Sequence, residues 1–166
     1  MLKKKFVILV LLLLPSFALA ADRLVSPDKS LIAIIEPFQK TKAKIAENVI
    51  SIVKGDSTVL AKMDFRSPDK EHGYVIDKIQ WTADSNFLVF STYSSGGHQS
   101  WHAPTFFFAR SDNKIRSIDD LLGPVLDSNF EISSTNILKV LVQDKDSHKE
   151  RAVSVNLSEM INRREK

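Results

Sequence analysis

Cysteine is absent from the 166 residues. Disulfides, thiolate nucleophiles and thiolate metal sites are therefore excluded. Glycine is scarce, at five residues. That leaves little material for a phosphate-cradling loop, and neither that motif nor a G-x-S-x-G nucleophile elbow occurs. No zinc-protease histidine pair sits on a helical stretch. Beyond the N-terminus no apolar run approaches the roughly 20 residues that a membrane-spanning helix needs. An excess of one charge is also missing once the N-terminus is set aside. The chain carries 23 basic and 20 acidic residues, and three of the cations are Lys3, Lys4 and Lys5. The remainder is formally neutral, so the basic balance gives no support to a nucleic-acid face, which would need clustered cations.

The N-terminus has the three-part layout of a secretory signal. Lys3 to Lys5 form a positive start, Phe6 to Leu14 an unbroken apolar stretch, and Pro15-Ser16 a break. Ala18-Leu19-Ala20 then supplies small residues at the two positions that a signal peptidase reads. Residues 1–20 are expected to be a cleaved signal peptide, and residues 21–166 a single β-rich domain. The expected compartment is the periplasm or the outside of the cell, with no stable membrane insertion after cleavage. A domain of this size buries about 68–70% of its unfolded surface and needs no covalent staple.

Strand signals dominate the remainder. Leu31–Glu36, Asn48–Val53, Thr58–Met63, Tyr74–Trp81, Phe87–Thr92, Thr105–Ala109, Ile137–Val142 and Ala152–Val155 are short runs rich in β-branched and aromatic residues. Lys54-Gly55-Asp56-Ser57 and Ser111-Asp112-Asn113-Lys114 are turn tetrads. Eight to ten short strands separated by turn chemistry predict an antiparallel domain. Helical signal is local. Ser117-Ile118-Asp119-Asp120 reads as a capped turn stopped by Gly123-Pro124, and Asn156 caps a short C-terminal helix that buries Leu157, Met160 and Ile161. Lys40-Thr41-Lys42-Ala43-Lys44 lacks interleaved aromatics and reads as an exposed loop. Arg163, Arg164 and Lys166 read as a solvated tail.

A repeat emerges on alignment. Val25-Ser26-Pro27-Asp28-Lys29-Ser30-Leu31-Ile32-Ala33 matches Trp81-Thr82-Ala83-Asp84-Ser85-Asn86-Phe87-Leu88-Val89, and Ile132 through Asn136 to Val140 is a fainter third copy. Each has an apolar residue, a polar turn and an apolar strand. The pattern resembles the blades of TolB-like β-propellers, whose repeat reads W-S-P-D-G-x-x-L/I-A/V. Lys29 and Ser85 stand where that repeat has glycine. The resemblance implies blade-like units. Three of them fill the chain, against the ~4–8 blades that close a ring. The expected fold is therefore mainly β, an antiparallel β-sandwich or partly closed barrel with blade-like units and a short C-terminal helix.

The segment from Ser94 to Ala103 joins the two most apolar strands and exceeds the ~2–5 residues usual for hairpin loops. Gly96 and Gly97 permit close approach and positive φ, Trp101 is a large amphipathic ring, and His98 and His102 can donate, accept or bind metal. Ser95, Gly96, Gly97, His98, Gln99, Trp101 and His102 are the candidate binding residues of a recognition loop, the alternative being an ordinary turn with Trp101 folded onto the core. Metal chelation by His98 and His102 is disfavoured, since residues four apart in a strand are ~13 Å apart. No catalytic set, metal site or cofactor is assigned. Carboxylates such as Asp119-Asp120 and Asp144-Asp146 read as solvated turn and cap residues. The expected function is a non-catalytic exported binding protein whose partner is a protein or a cell-wall component. Ser95-Gly96-Gly97-His98 between apolar strands is similar in layout to periplasmic lysozyme inhibitors that present a Ser-Gly loop. A hydrolase using His98 or His102 with a carboxylate, and a structural envelope component, are the alternatives.

Overall fold

The computed structural model describes residues 21–39, 46–69, 71–134, 136–144 and 146–162. The signal segment, the Lys40–Lys44 cluster and the basic tail lie outside the described residues. Eleven strands and two short helices occur among those described. Strands β1 (Asp22–Val25), β2 (Leu31–Gln39), β3 (Ala46–Lys54) and β4 (Val59–Asp64) form one sheet in chain order. Strands β5 (Tyr74–Trp81), β6 (Phe87–Ser94), β7 (Thr105–Ala109) and β8 (Lys114–Ser117) form a second. Strands β9 (Glu131–Ile132), β10 (Ile137–Gln143) and β11 (Glu150–Asn156) form a third. Every pairing is antiparallel between sequence neighbours, so each sheet is an up-and-down meander of the blade type. None closes into a barrel. Strands β1, β8 and β9 escape the sequence reading because they are short and carry charge: Asp22-Arg23, Lys114 with Arg116, and Glu131.

The second sheet is the middle layer. Alternation along β6 and β7 sends Phe87, Val89, Phe107 and Ala109 to one side, where they pack with Leu138, Val140 and Val142 of the third sheet. Leu88, Phe90 and Phe108 face the other way, against Leu31, Ala33, Ile50 and Ile52 of the first. Phe87 lies opposite Ala109, Leu88 opposite Phe108, and Phe90 opposite Phe106. The two most apolar runs are thus neighbouring antiparallel strands whose side chains alternation divides between two faces. Phe107 and Phe108 are fully buried, while Phe106 is only half-buried.

Helices α1 (Ile118–Leu122) and α2 (Leu157–Met160) follow the expected caps. The Ser117 side chain accepts the Asp120 N–H, and the Asn156 side chain accepts the Ser158 N–H. Both helices bury apolar residues in the core shared by the second and third sheets.

The three repeated turns share one hydrogen-bond plan. The Ser26, Thr82 and Ser133 hydroxyls accept the N–H of Leu31, Phe87 and Ile137 at 3.0, 3.0 and 3.3 Å. Lys29, Ser85 and Asn136 donate backbone N–H back to Ser26, Thr82 and Ser133, with φ of 62°, 62° and 59°. Adjacent turns are also joined laterally. The Asp28 N–H donates to Ser85 Oγ at 3.0 Å, Asn136 Nδ2 donates to Asp84 Oδ2 at 2.7 Å, and Arg110 Nη1 donates to Asp28 Oδ2 at 2.5 Å. Burial tends to raise the Asp84 carboxyl. The bonds from Asn136, Thr82 and Asn86 outweigh it and hold the pKa at about 2. These turns gather at one end of the stack, and the irregular loops at the other.

Candidate functional site

The loop end is organised around two carboxylates. Glu47, near the start of β3, is 2% exposed. Its Oε1 accepts the Ser67 hydroxyl at 2.8 Å, the Gly73 N–H at 2.9 Å and the Ser95 hydroxyl at 2.8 Å, while Oε2 accepts the Ser67 N–H at 2.7 Å. Burial pushes this carboxyl upward, but four donors outweigh it and the net direction is downward, favouring the ionised form. Ser95 is further held by its N–H, which donates to the Gly73 carbonyl at 2.9 Å. One side chain thus ties the first sheet, the β4–β5 connection and the first residues of the loop after β6.

Asp119, in the first turn of α1, holds the other end of that loop. Its Oδ1 accepts the Val125 N–H at 3.0 Å and lies 2.5 Å from His102 Nε2, and its Oδ2 accepts the Thr105 N–H at 2.9 Å. The His102 and Asp119 side chains are 19% and 16% exposed. The expectation that Asp119 is a solvated cap residue is therefore corrected. It sits in the first turn of α1, but its carboxylate turns inward to three partners because the loop and the 124–126 segment fold over it. The loop backbone joins in, with the Ala103 N–H donating to the Val125 carbonyl at 2.8 Å.

Between these anchors the loop is tight. At Gly96 an added Cβ would overlap the Glu71 carbonyl oxygen, and Gly97 has a φ of 71°. The histidines take separate partners. The His98 ring stacks on His72 with centroids 4.8 Å apart, and His72 Nδ1 pairs with Asp69. The His102 ring stacks on Trp101 at 5.2 Å. His98 and His102 are thus directed to different neighbours. No grouping of three or more metal-ligating side chains occurs among the described residues. The Glu71 N–H leads the donors that hold the Asp69 carboxyl well below the usual range, with the Ser67 hydroxyl and His72 adding to it.

Trp101 is 54% exposed and Tyr93, at the end of β6, is 39% exposed. Trp101 is consequently no lid on the core. Beside it opens a cleft of about 350 Å³ between the loop and residues 126–128. Gly97, Gln99 and His102 line it from the loop, Tyr93 from β6, and Asp127 and Ser128 from the far wall. Of the sequence candidates, Gly97, Gln99 and His102 reach this cleft. Ser95 is committed to Glu47, and His98 to His72. Trp101 stands outside the lining, stacked on the His102 ring that forms part of it.

Sequence reasoning missed Glu47, Tyr93, Asp127 and Ser128. Glu47 belongs to a polar pair, Glu47-Asn48, ahead of the apolar run of β3, and its partners are 20 to 48 residues away. Only the excess of polar residues around 126–129 before Phe130 could have flagged the far wall.

The His102–Asp119 pair has the form of a base and its orienting carboxylate. A nucleophile would need to lie within hydrogen-bond reach of the free nitrogen. The group facing His102 Nδ1 is Gln99 Oε1, at 3.5 Å.

No family model matches the chain, and no curated protein matches it. Among solved structures, a candidate 6-phosphogluconolactonase from Bacteroides fragilis is similar over 81% of this chain, at 11% identity and a TM-score of 0.41. The chain spans 38% of the length of that protein.

Proposed function

We propose that this protein is an exported, non-catalytic binding module that presents the 94–103 loop to a protein or cell-wall component of the envelope. The observation that carries the proposal is the contrast within the loop. Its two ends are fixed by Glu47 and Asp119, while Trp101 between them is more than half exposed. A side chain that large loses little conformational freedom on binding when its backbone is already ordered, which is where binding energy concentrates. The signal-like residues 1–20 support export. The inhibitor-like form of the proposal has a cell-wall hydrolase as target.

The test compares the mature protein with Trp101→Ala in two assays, co-sedimentation with purified peptidoglycan sacculi and inhibition of lysozyme. Activity in at least one assay, lost on Trp101→Ala with an unchanged melting curve, is the expected result. Equal behaviour of the two proteins in both assays refutes the proposal.

A second reading is favoured by the 2.5 Å His102–Asp119 pair, that of a hydrolase with His102 as base. It requires turnover of an ester or glycoside that Asp119→Asn abolishes.

A further inference from the structure

The cleft between the 94–103 loop and residues 126–128 has a lining that selects a ligand chemistry. We propose that it binds a neutral saccharide. The inference rests on the binding-module reading and names the class of ligand for the same site. Its first support is the mixture of groups. Tyr93 offers an exposed phenol, Gln99 an amide, Ser100 and Ser128 hydroxyls, and Asp127 a carboxylate. Amides and hydroxyls both donate and accept, and a carboxylate accepts from two directions. Sugar hydroxyls, which also do both, are matched by such a set. The apolar C–H face of a pyranose is matched by an exposed aromatic ring, whose π face carries negative charge.

The second support is the charge of the lining. Among the described residues no lysine or arginine lines the cleft, and Asp127 places a carboxylate on its wall. A phosphate or carboxylate ligand would meet repulsion there with no lysine or arginine of the described lining to offset it. The third is the state of the backbone. A bound peptide would draw on free main-chain groups, and three lining N–H groups are already committed within the fold. The Gly97 N–H donates to Ser94, the Ala103 N–H to Val125 and the Leu126 N–H to Leu141, at 3.2, 2.8 and 2.9 Å. The volume of about 350 Å³ lies at the small end of the ~300–1,000 Å³ range of ligand sites, which suits a short stretch of sugar. Trp101, stacked on His102 at the rim, extends the aromatic surface for a longer glycan.

Titration calorimetry and tryptophan fluorescence on the mature protein test this, with chitotriose and cellotriose as probes and inorganic phosphate and tetra-alanine as controls. At least one trisaccharide is expected to bind saturably with a Kd below about 1 mM, and neither control to bind. Tyr93→Ala and Asp127→Asn, both surface changes, are each expected to weaken binding about tenfold with unaltered melting curves. Absence of binding by both trisaccharides at about 10 mM overturns the proposal, as does binding that neither variant weakens, or variant-sensitive binding of phosphate or tetra-alanine instead. If both trisaccharides fail while capture of sacculi or lysozyme still depends on Trp101, the saccharide inference falls and the loop reading stands. If that dependence is also absent, both fall.

Discussion

Replacing Glu47 by alanine removes one carboxylate and strands four donors. Two are the backbone N–H groups of Ser67 and Gly73, which cannot rotate away, and two are the hydroxyls of Ser67 and Ser95, which can. An orphaned buried donor costs about 1–3 kcal/mol. Two of them give about 2–6 kcal/mol, and the loss of a buried charged group from its partners is otherwise about 3–5 kcal/mol. For a domain of this size each kcal/mol moves Tm by roughly 2–4 °C. A fall of about 10 °C is therefore expected for Glu47→Ala. Glu47→Gln, which keeps one acceptor, should fall less. The folded-state pKa of Glu47 lies below its ordinary value of 4.5. The stabilisation is thus fully present above that pH and is lost as pH falls through the folded-state value. Thermal melts between pH 7 and pH 3 should show the gap between wild type and Glu47→Gln narrowing once the pH drops below about 4.5. Glu47→Ala melting within about 1 °C of wild type, or a gap to Glu47→Gln that stays constant with pH, would refute the argument that this ionised carboxylate holds the loop end together.

Phe108→Ala should cost about 3–5 kcal/mol by lost burial and a cavity, and Trp101→Ala less than about 1 kcal/mol; melts that showed equal losses would place Trp101 in the core. Asp119→Asn should cost about 1–3 kcal/mol and speed amide exchange at Thr105 and Val125, whose N–H groups it accepts; unchanged exchange at both would remove Asp119 as the second anchor. Gly96→Ala should cost about 1–3 kcal/mol, because the neighbour its Cβ meets is the Glu71 backbone, and denaturant titration showing no loss would mean that the loop shifts freely.

The parts of the fold that were legible in the sequence are those fixed by local pattern. Phe87–Phe90 and Thr105–Phe108 announce two central strands through apolar content, and alternation alone assigns Phe107 and Phe108 to opposite faces. Ser117 and Asn156 mark helix starts by cap chemistry that acts within three residues. The loop is visible through its length, its paired glycines and Trp101. Glu47 is illegible because a carboxylate before a strand is ordinarily solvated, and its burial depends on Ser67, Gly73 and Ser95 being brought to it by the stacking of two sheets. Asp119 misleads for a related reason. Its place in the first turn of a helix is a sufficient local explanation, and nothing nearby in sequence signals that His102 and Thr105 will arrive. The far wall of the cleft forms only when residues 124–126 pair along β10, with Val125 opposite Val142.

The left-handed residues of the three repeated turns carry a further implication. Glycine would sit at Lys29, Ser85 and Asn136 with least strain, and a side chain there costs about 1–2 kcal/mol. Yet the Ser85 hydroxyl receives the Asp28 N–H, and the Asn136 amide reaches Asp84. A glycine at Ser85 or Asn136 would relax the turn and leave it deaf to its neighbour. The two sheet interfaces are packed by different residue sets. The clasps between turns add to each interface a polar contact that only its own pair of turns can make. The stack is thus matched at its rim as well as in its core.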